Sequence, residues 1–450
     1  MLMLTGAETV FVDRTAETRG GILLDGGLVS ATGADAAGGG TGSPGLAGAT
    51  VLDVTGCVVT PGLVNAHHHL LQSAFRTLPG TRGVPMAAWL PTMAAAYARV
   101  GIDPELASIA AGIGVAEGLL SGVTTVADHH LNWGSASVAD SVEIARATTE
   151  AARALGGRIA FVRGAAHDDP QAAASSAEAI VDALLPVARE GGTGGVSADG
   201  MLQLAVGPAG VHSDPRETFE LLGEVAARHG LRRRTQANEQ VDVAIALEKY
   251  GRRPLDLLED WGWLADDVTI AHLCDVSEEE IARLAVAGVT ATHAPGCDVP
   301  MGWGIAPVAQ LAAAGVALGL GTSGGGSNDA GHLLADARLA MQVSGLVGEQ
   351  LPARQVLAMA TAGSAAGLGR PELGHLRPGA AADLCVWDVS GVADAGVADP
   401  VAGLLWAAPG RRPRDVIVGG EFVVRDYRLV NAEERELVAR LSERLARTPL

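Results

Sequence analysis

The segment TPGLVNAHHHL, residues 60–70, carries the side chains best suited to chemistry. In an extended strand alternate side chains share a face, so His67 and His69 point together while His68 points elsewhere. Two imidazoles on one face at a strand end make a metal clamp, and neutral imidazole suits zinc. Further histidines close other apolar runs: His129 and His130 after VTTVAD, His272 in VTIAHL and His293 in VTATHAP. Trp89 in AAWL and Trp303 in MGWG lie in loop-like stretches, where an aromatic ring serves either the core or a flat ligand.

Something must bring these scattered residues together. The middle of the chain alternates apolar strand-like runs (TTVADHH, RIAFVRGAA, LQLAVGPAG, VTIAHLC, VTATHAP, VALGLGTSG) with stretches of helical periodicity such as SVADSVEIARATTEAARALG and SEEEIARLAVAG. That rhythm predicts a parallel α/β fold. A doubly wound sheet is the alternative to a barrel; a (β/α)8 barrel is preferred because polar residues at so many strand ends then converge on one mouth. Both chain ends read as short strands with Gly-rich turns, ETVFVD and GGILLDGGLVSATG at one, DLCVWDVS and RDVIVGGEFVVRDYRLV at the other. They predict one small β-sandwich assembled from both termini, with a hairpin at Gly419-Gly420. The boundaries fall at 1–58 and 377–450 for the sandwich and its terminal helix, and at 59–376 for the barrel. ADAAGGGTGSPGLAG, residues 34–48, reads as a loop.

Composition excludes several classes. The formal charge of −19 opposes binding to nucleic acid or to an anionic membrane. Cys57, Cys274, Cys297 and Cys385 show no CxxC spacing, as expected of free thiols in a reducing compartment. With no basic, then apolar, leader and no uninterrupted apolar run of about 18 residues, the reading is of a soluble cytoplasmic protein. A homodimer is the default assembly.

PGLVNAHHHL resembles the first-strand signature of the amidohydrolase superfamily. AAWL, SGVTTVADHH, MGWGIAPV, GLGTSGGGSNDAGHLLADARLAM, ATAGSAAGLGR and LRPGAAADLCVWD are similar to its branch of N-heterocycle deaminases and chlorohydrolases, the 8-oxoguanine deaminases and triazine hydrolases among them. The resemblance implies a distorted barrel with an added β-sandwich, and a small heterocyclic substrate. It also implies a divalent metal held by His67, His69, residue 236 and His272. His272 would double as a catalytic group polarising the substrate, and Glu239 would shuttle protons between the attacking water and the ring or leaving group. Gln72 and His130 would contact substrate, beside Trp89 and Trp303. Asn328 and Asp329 would order their loop, and His293 would serve structure or substrate. His167, His212, His229, His332 and His375 would be structural or solvated.

Two positions depart from the pattern. Where the family reads HTHxxE, this chain reads Arg234-Thr235-Gln236-Ala237-Asn238-Glu239, so the ligand position holds Gln236. A carboxamide oxygen is neutral and rare on zinc, so zinc, iron or manganese, or no metal at all, are open to such a set. Ser323 stands where most of the superfamily has a metal-binding Asp; a hydroxyl stays protonated at neutral pH, which leaves the proton transfers to Glu239. The expected function is hydrolysis of a C–N or C–halogen bond of an aromatic N-heterocycle by metal-activated water. The alternative is a repurposed, metal-free enzyme catalysing cyclisation, dehydration or rearrangement. A silent binding protein has no need of His67, His69, Glu239 and His272 together.

Overall fold

Eight buried parallel strands form the centre of the molecule, in a computed structural model that describes residues 1–37, 48–134, 137–185 and 195–448. In chain order they are Leu63–His69, Val123–His130, Arg158–Ala165, Leu202–Pro208, Arg232–Ala237, Val268–His272, Thr290–His293 and Ala317–Leu320. Each pairs in parallel with the next. The eighth strand then breaks at Gly321 and Thr322, and its continuation, Ser323–Gly324, pairs with His68 and His69 of the first strand. That step closes the sheet into a ring and rules out the doubly wound alternative, whose sheet stays open.

Two glycines permit the closure. A Cβ on Gly321 would sit 2.7 Å from the Cβ of His67, and one on Gly207 would sit 1.6 Å from the carbonyl oxygen of Arg234. Neither strand could approach its neighbour with a side chain there. The first strand carries a bulge, because Asn65 pairs with Val126 but His68 pairs with Asp128. Two residues of the first strand, Ala66 and His67, therefore stand opposite one of the second.

Helices wrap the strands and bury their outer faces in one large apolar core that includes Phe161, Phe219, Trp263 and Leu320. Local chemistry starts them where the pattern predicts. Ser137 with Asp140 opens Val138–Leu155, and Ser277 with Glu280 opens Glu278–Ala287, each as a capping box. The charged terminal helix is present as Glu434–Ala446. No helix among the described residues is long and apolar enough to cross a membrane.

The chain ends build one continuous mixed sheet, the predicted sandwich in folded form. Leu2–Asp13 changes partner along its length: residues 2–5 pair with Thr50–Asp53, and residues 9 and 10 with Val58 and Val59. Cys57–Pro61 pairs in turn with Leu384–Asp388, and Asp415–Val418 and Glu421–Arg425 form the hairpin at Gly419-Gly420. The sheet curls around Leu4, Val10, Ile22, Val59, Leu384 and Ile417. Of the expected loop at 34–48, Ala34–Ala37 is a single helical turn, and residues 38–47 lie outside the described residues.

One buried ion pair ties this sheet to the barrel. Arg158 donates from Nε and Nη2 to Asp383 at 2.7 and 2.9 Å, and Asp383 also accepts from the Gly419 backbone at 2.7 Å. Removing one partner strands the other charge away from water. Asp383→Ala should therefore cost about 3–5 kcal/mol, read as a lowered denaturation midpoint, and the apolar pair Arg158→Met/Asp383→Leu should recover part of it.

Candidate active site at the barrel mouth

The clamp forms as its spacing predicts. The rings of His67 and His69 lie 4.8 Å apart, nearly perpendicular, and His67 lies 5.2 Å from His272. His69 donates from Nδ1 to the His129 carbonyl at 2.7 Å, which leaves its Nε2 lone pair free. His67 Nε2 is buried with no hydrogen-bond partner among the described residues. His68 faces the opposite way, bonding the Ser323 carbonyl and the Thr322 hydroxyl. Burial, reinforced by the neighbouring imidazoles, holds His67 well below its ordinary value, His69 near about 4 and His129 near about 3. All three are neutral near pH 7, as a metal ligand must be.

Opposite the clamp stands a hydrogen-bonded group from the fifth and sixth strands. His272 Nδ1 meets Asp298 Oδ1 at 2.6 Å, while its Nε2 lies 3.0 Å from Gln236 Oε1 and 3.5 Å from Glu239 Oε1. Gln236 donates its amide nitrogen to the Ala209 carbonyl at 3.3 Å, which aims its oxygen at His272. Burial opposes the imidazolium of His272, but Asp298 and Glu239 outweigh it and raise the ring. Burial also opposes ionisation of Asp298, and His272 overcomes that to hold it at about 2. Glu239 is pushed up to about 8 by burial, against the pull of His272, and its Oε2 has no hydrogen-bond partner among the described residues. Asp242 accepts from the backbones of Asn238 and Glu239, both at 2.6 Å, and so fixes the turn that presents Glu239.

Strain gathers here too. Asn238, Gln240, His272, Leu273 and Ser323 all hold positive φ at the ends of the fifth, sixth and eighth strands. Non-glycine residues take that conformation at a cost of order 1–3 kcal/mol each.

The residues fit a divalent cation. Gln236 Oε1 lies 3.0 Å from His272 Nε2, an edge that bonds of about 2.0–2.2 Å allow, and His67 contributes an unused buried lone pair. His67, His69 and His272 would supply nitrogen and Gln236 oxygen. A second histidine-bearing cluster, His272 with Cys297 and Asp298, brings donors within 4.8 Å of one another. The 2.6 Å His272–Asp298 bond leaves no room for an ion between those two.

A cavity of about 400 Å³ opens above this group, lined by His69, Gln236, Glu239 and Ser323 at its base. Trp89, Met93, Tyr97 and Trp303 supply apolar walls. Trp303 stands edge-on to His272 at 5.1 Å, and Trp89 is anchored through its indole N–H to the Gly326 carbonyl at 3.1 Å. Gln72 reaches the wall with its oxygen held by the Gly326 N–H at 3.0 Å.

His130 does not join them. Its ring packs on Trp133 and Phe161 in the strand–helix layer, at 4.6 and 5.7 Å, and bonds the Asn132 carbonyl at 3.1 Å. Strand alternation instead turns His129 inward, where it stacks 6.0 Å from His69 and donates to the Gly207 carbonyl at 2.8 Å. His167 and His212, expected to be structural or solvated, both line the cavity. His293 is buried 3.6 Å from Asp298, and neither of its ring nitrogens is hydrogen-bonded among the described residues. Asn328 bonds the Thr322 carbonyl and Asp336, as a loop-ordering residue should.

Arg234 is the residue that sequence reasoning passed over. It alternates with Gln236 on the fifth strand, is 3% exposed, and donates from Nη2 to the Ala66 carbonyl.

This fold and this mouth define an α/β-barrel hydrolase. The chain belongs to the amidohydrolase family, whose model it matches over residues 58–423. It is 34% identical over 444 residues to an 8-oxoguanine deaminase of Pseudomonas aeruginosa, covering 96% of this chain and 95% of that one. It is 31% identical to an isoxanthopterin deaminase from an unknown prokaryotic organism, over 87% of this chain and 85% of that one. Among solved structures it is similar to the zinc complex of atrazine chlorohydrolase from Arthrobacter aurescens TC1, with a TM-score of 0.88 and 33% identity over 99% of this chain and 100% of that one.

The raised carboxyls set a pH dependence. A carboxyl whose folded value exceeds its unfolded one takes up a proton on folding, so its contribution is full below the unfolded value and lost as pH climbs through the folded one. For Glu239 the window runs from 4.5 to about 8, and Asp242 acts in its lower half, up to about 6. Chelator-treated protein should therefore lose thermal stability between about pH 5 and 8, and Glu239→Gln should flatten the upper part of that loss. An equal loss in the variant would contradict the assignment.

Proposed function

We propose that this protein hydrolyses a C–N or C–halogen bond at a ring carbon of a neutral aromatic nitrogen heterocycle. The observation that carries the reading is Glu239, a buried carboxyl at the cavity base with one oxygen near His272 and the other free of protein partners. The charge of the walls supports the substrate class. Among the described residues lining the cavity there is no Arg or Lys, and Glu239 is the one carboxyl, so the walls offer a phosphate or carboxylate no cationic side chain. Relatives that deaminate or dechlorinate such rings support the bond type.

His67, His69, His272 and Gln236 would hold a divalent ion, zinc by the chemistry of the imidazoles. That ion would supply the positive charge that acidifies water at neutral pH. Glu239 accepts the proton of the attacking water and delivers it to a ring nitrogen, which makes the adjacent carbon electrophilic. Water oxygen bonds to that carbon, the bond to the amine or halogen breaks, and the second water proton leaves with it as ammonia or hydrogen halide. Ser323 offers a hydrogen bond but no base, so a single carboxylate serves every transfer. Asp298 holds His272 upright through Nδ1, and Trp303 and Trp89 flank the ring plane.

A second reading, non-hydrolytic rearrangement without metal, is favoured by the 3.0 Å contact in which Gln236 occupies His272 Nε2. Isotope labelling separates the two. Turnover of amino- and chloro-heterocycles in H2(18)O should place one labelled oxygen in the product, with ammonia or halide released in equal amount and activity lost on chelation. Glu239→Gln should lower kcat by about 100- to 10,000-fold. Product free of label from a metal-free, active protein would sink the hydrolytic reading.

A further inference from the structure

Arg234 is a buried cation inside the barrel, and among the described residues no carboxylate neutralises it. Its guanidinium makes one bond, from Nη2 to the Ala66 carbonyl, and its Nε and Nη1 have no protein partner. Ala66 lies in the bulge of the first strand, where the ladder skips from Asn65 to His68. The arginine therefore takes up a carbonyl beside the bulge and braces the backbone immediately before His67. Arg234 and Gln236 sit two residues apart on the fifth strand, so their side chains share its inward face. Burial pulls the Arg234 guanidinium down to about 9, which still leaves it charged near neutral pH, and an uncompensated buried charge acts through a medium that screens it poorly.

We propose that Arg234 is a built-in competitor of the divalent ion: it positions the bulge that carries His67 while its charge repels a cation held there, so the centre binds metal loosely and exchangeably. The inference rests on reading the barrel mouth as the metal centre. It concerns affinity rather than turnover, so the two can fail separately. It also gives a role to Arg234, which stands where the HTHxxE pattern has its first histidine. A residue that merely filled space would give looser metal binding when removed. A competing charge gives tighter binding.

The test is equilibrium zinc binding to the full-length, metal-stripped protein, by competition with a chromophoric chelator. Arg234→Met, which removes the charge and keeps the apolar stem, should bind Zn2+ about tenfold or more tightly than the parent. Arg234→Lys, which keeps the charge but not the planar fork, should stay within about threefold of the parent. Arg234→Gln should follow Arg234→Met, and serves in its place if the methionine variant does not fold by circular dichroism. Unchanged or weaker zinc binding in the folded, uncharged variants overturns the proposal. So does Arg234→Lys tightening as much as the uncharged variants. A parent that turns over heterocycles but shows no gain on losing Arg234 would overturn this inference and leave the proposed function standing.

Discussion

The barrel mouth depends on one break in the hydrogen-bond ladder, between Leu320 and Ser323. Below it the eighth strand belongs to the seventh; above it the same strand belongs to the first. Asn65 fixes the crossover from outside the ring, donating to the Thr322 hydroxyl at 2.8 Å and accepting from the Thr322 N–H at 3.2 Å. His68 bonds the same hydroxyl at 2.9 Å. With the outward side chains of the first strand secured in this way, His67 and His69 have one direction left to face. Ser323 is presented beside them in a conformation that a free chain would avoid.

Charge at the mouth is arranged by burial more than by pairing. Water is excluded from the imidazoles of His67, His69 and His129, which keeps them neutral, and from Glu239, which keeps it protonated near neutral pH. His272 escapes this rule because Asp298 compensates it directly. The result is a set of groups whose protonation states answer to whatever positive charge enters: a cation at the clamp would draw the proton from Glu239 and convert it into the base that hydrolysis requires. Gln236 cannot take part in that exchange, since an amide has no proton to give up in this range.

Much of this was legible in the sequence, for identifiable reasons. The direction of His67 and His69 follows from the two-residue period of a strand, and the terminal hairpin follows from Gly419-Gly420. The ring closure could be expected from the polar residues at so many strand ends, which a barrel brings to one mouth. His130 was misassigned because two adjacent histidines end the second strand and parity depends on where that strand enters the barrel, which no local pattern states. His167 and His212 sit on loops, whose path over the mouth is set by packing rather than period. Asp298 lies 26 residues from the His272 it supports, a separation that carries no local signal. Arg234 was in plain view in the altered motif, but its burial without a counter-ion is a property of the closed barrel alone.

The terminal sheet has a consequence for how the chain reaches this state. Cys57–Pro61 finds its antiparallel neighbour in Leu384–Asp388, and the Thr60 hydroxyl receives the Trp387 indole N–H across 327 residues of sequence. A ribosome adding about 5–20 residues per second needs on the order of 15–65 s to cover that distance. Throughout that interval the apolar edge of residues 57–61 waits for a partner, while the strands before it can already fold against one another. Newly made chains thus carry an adhesive edge until Leu384–Asp388 emerges to cover it.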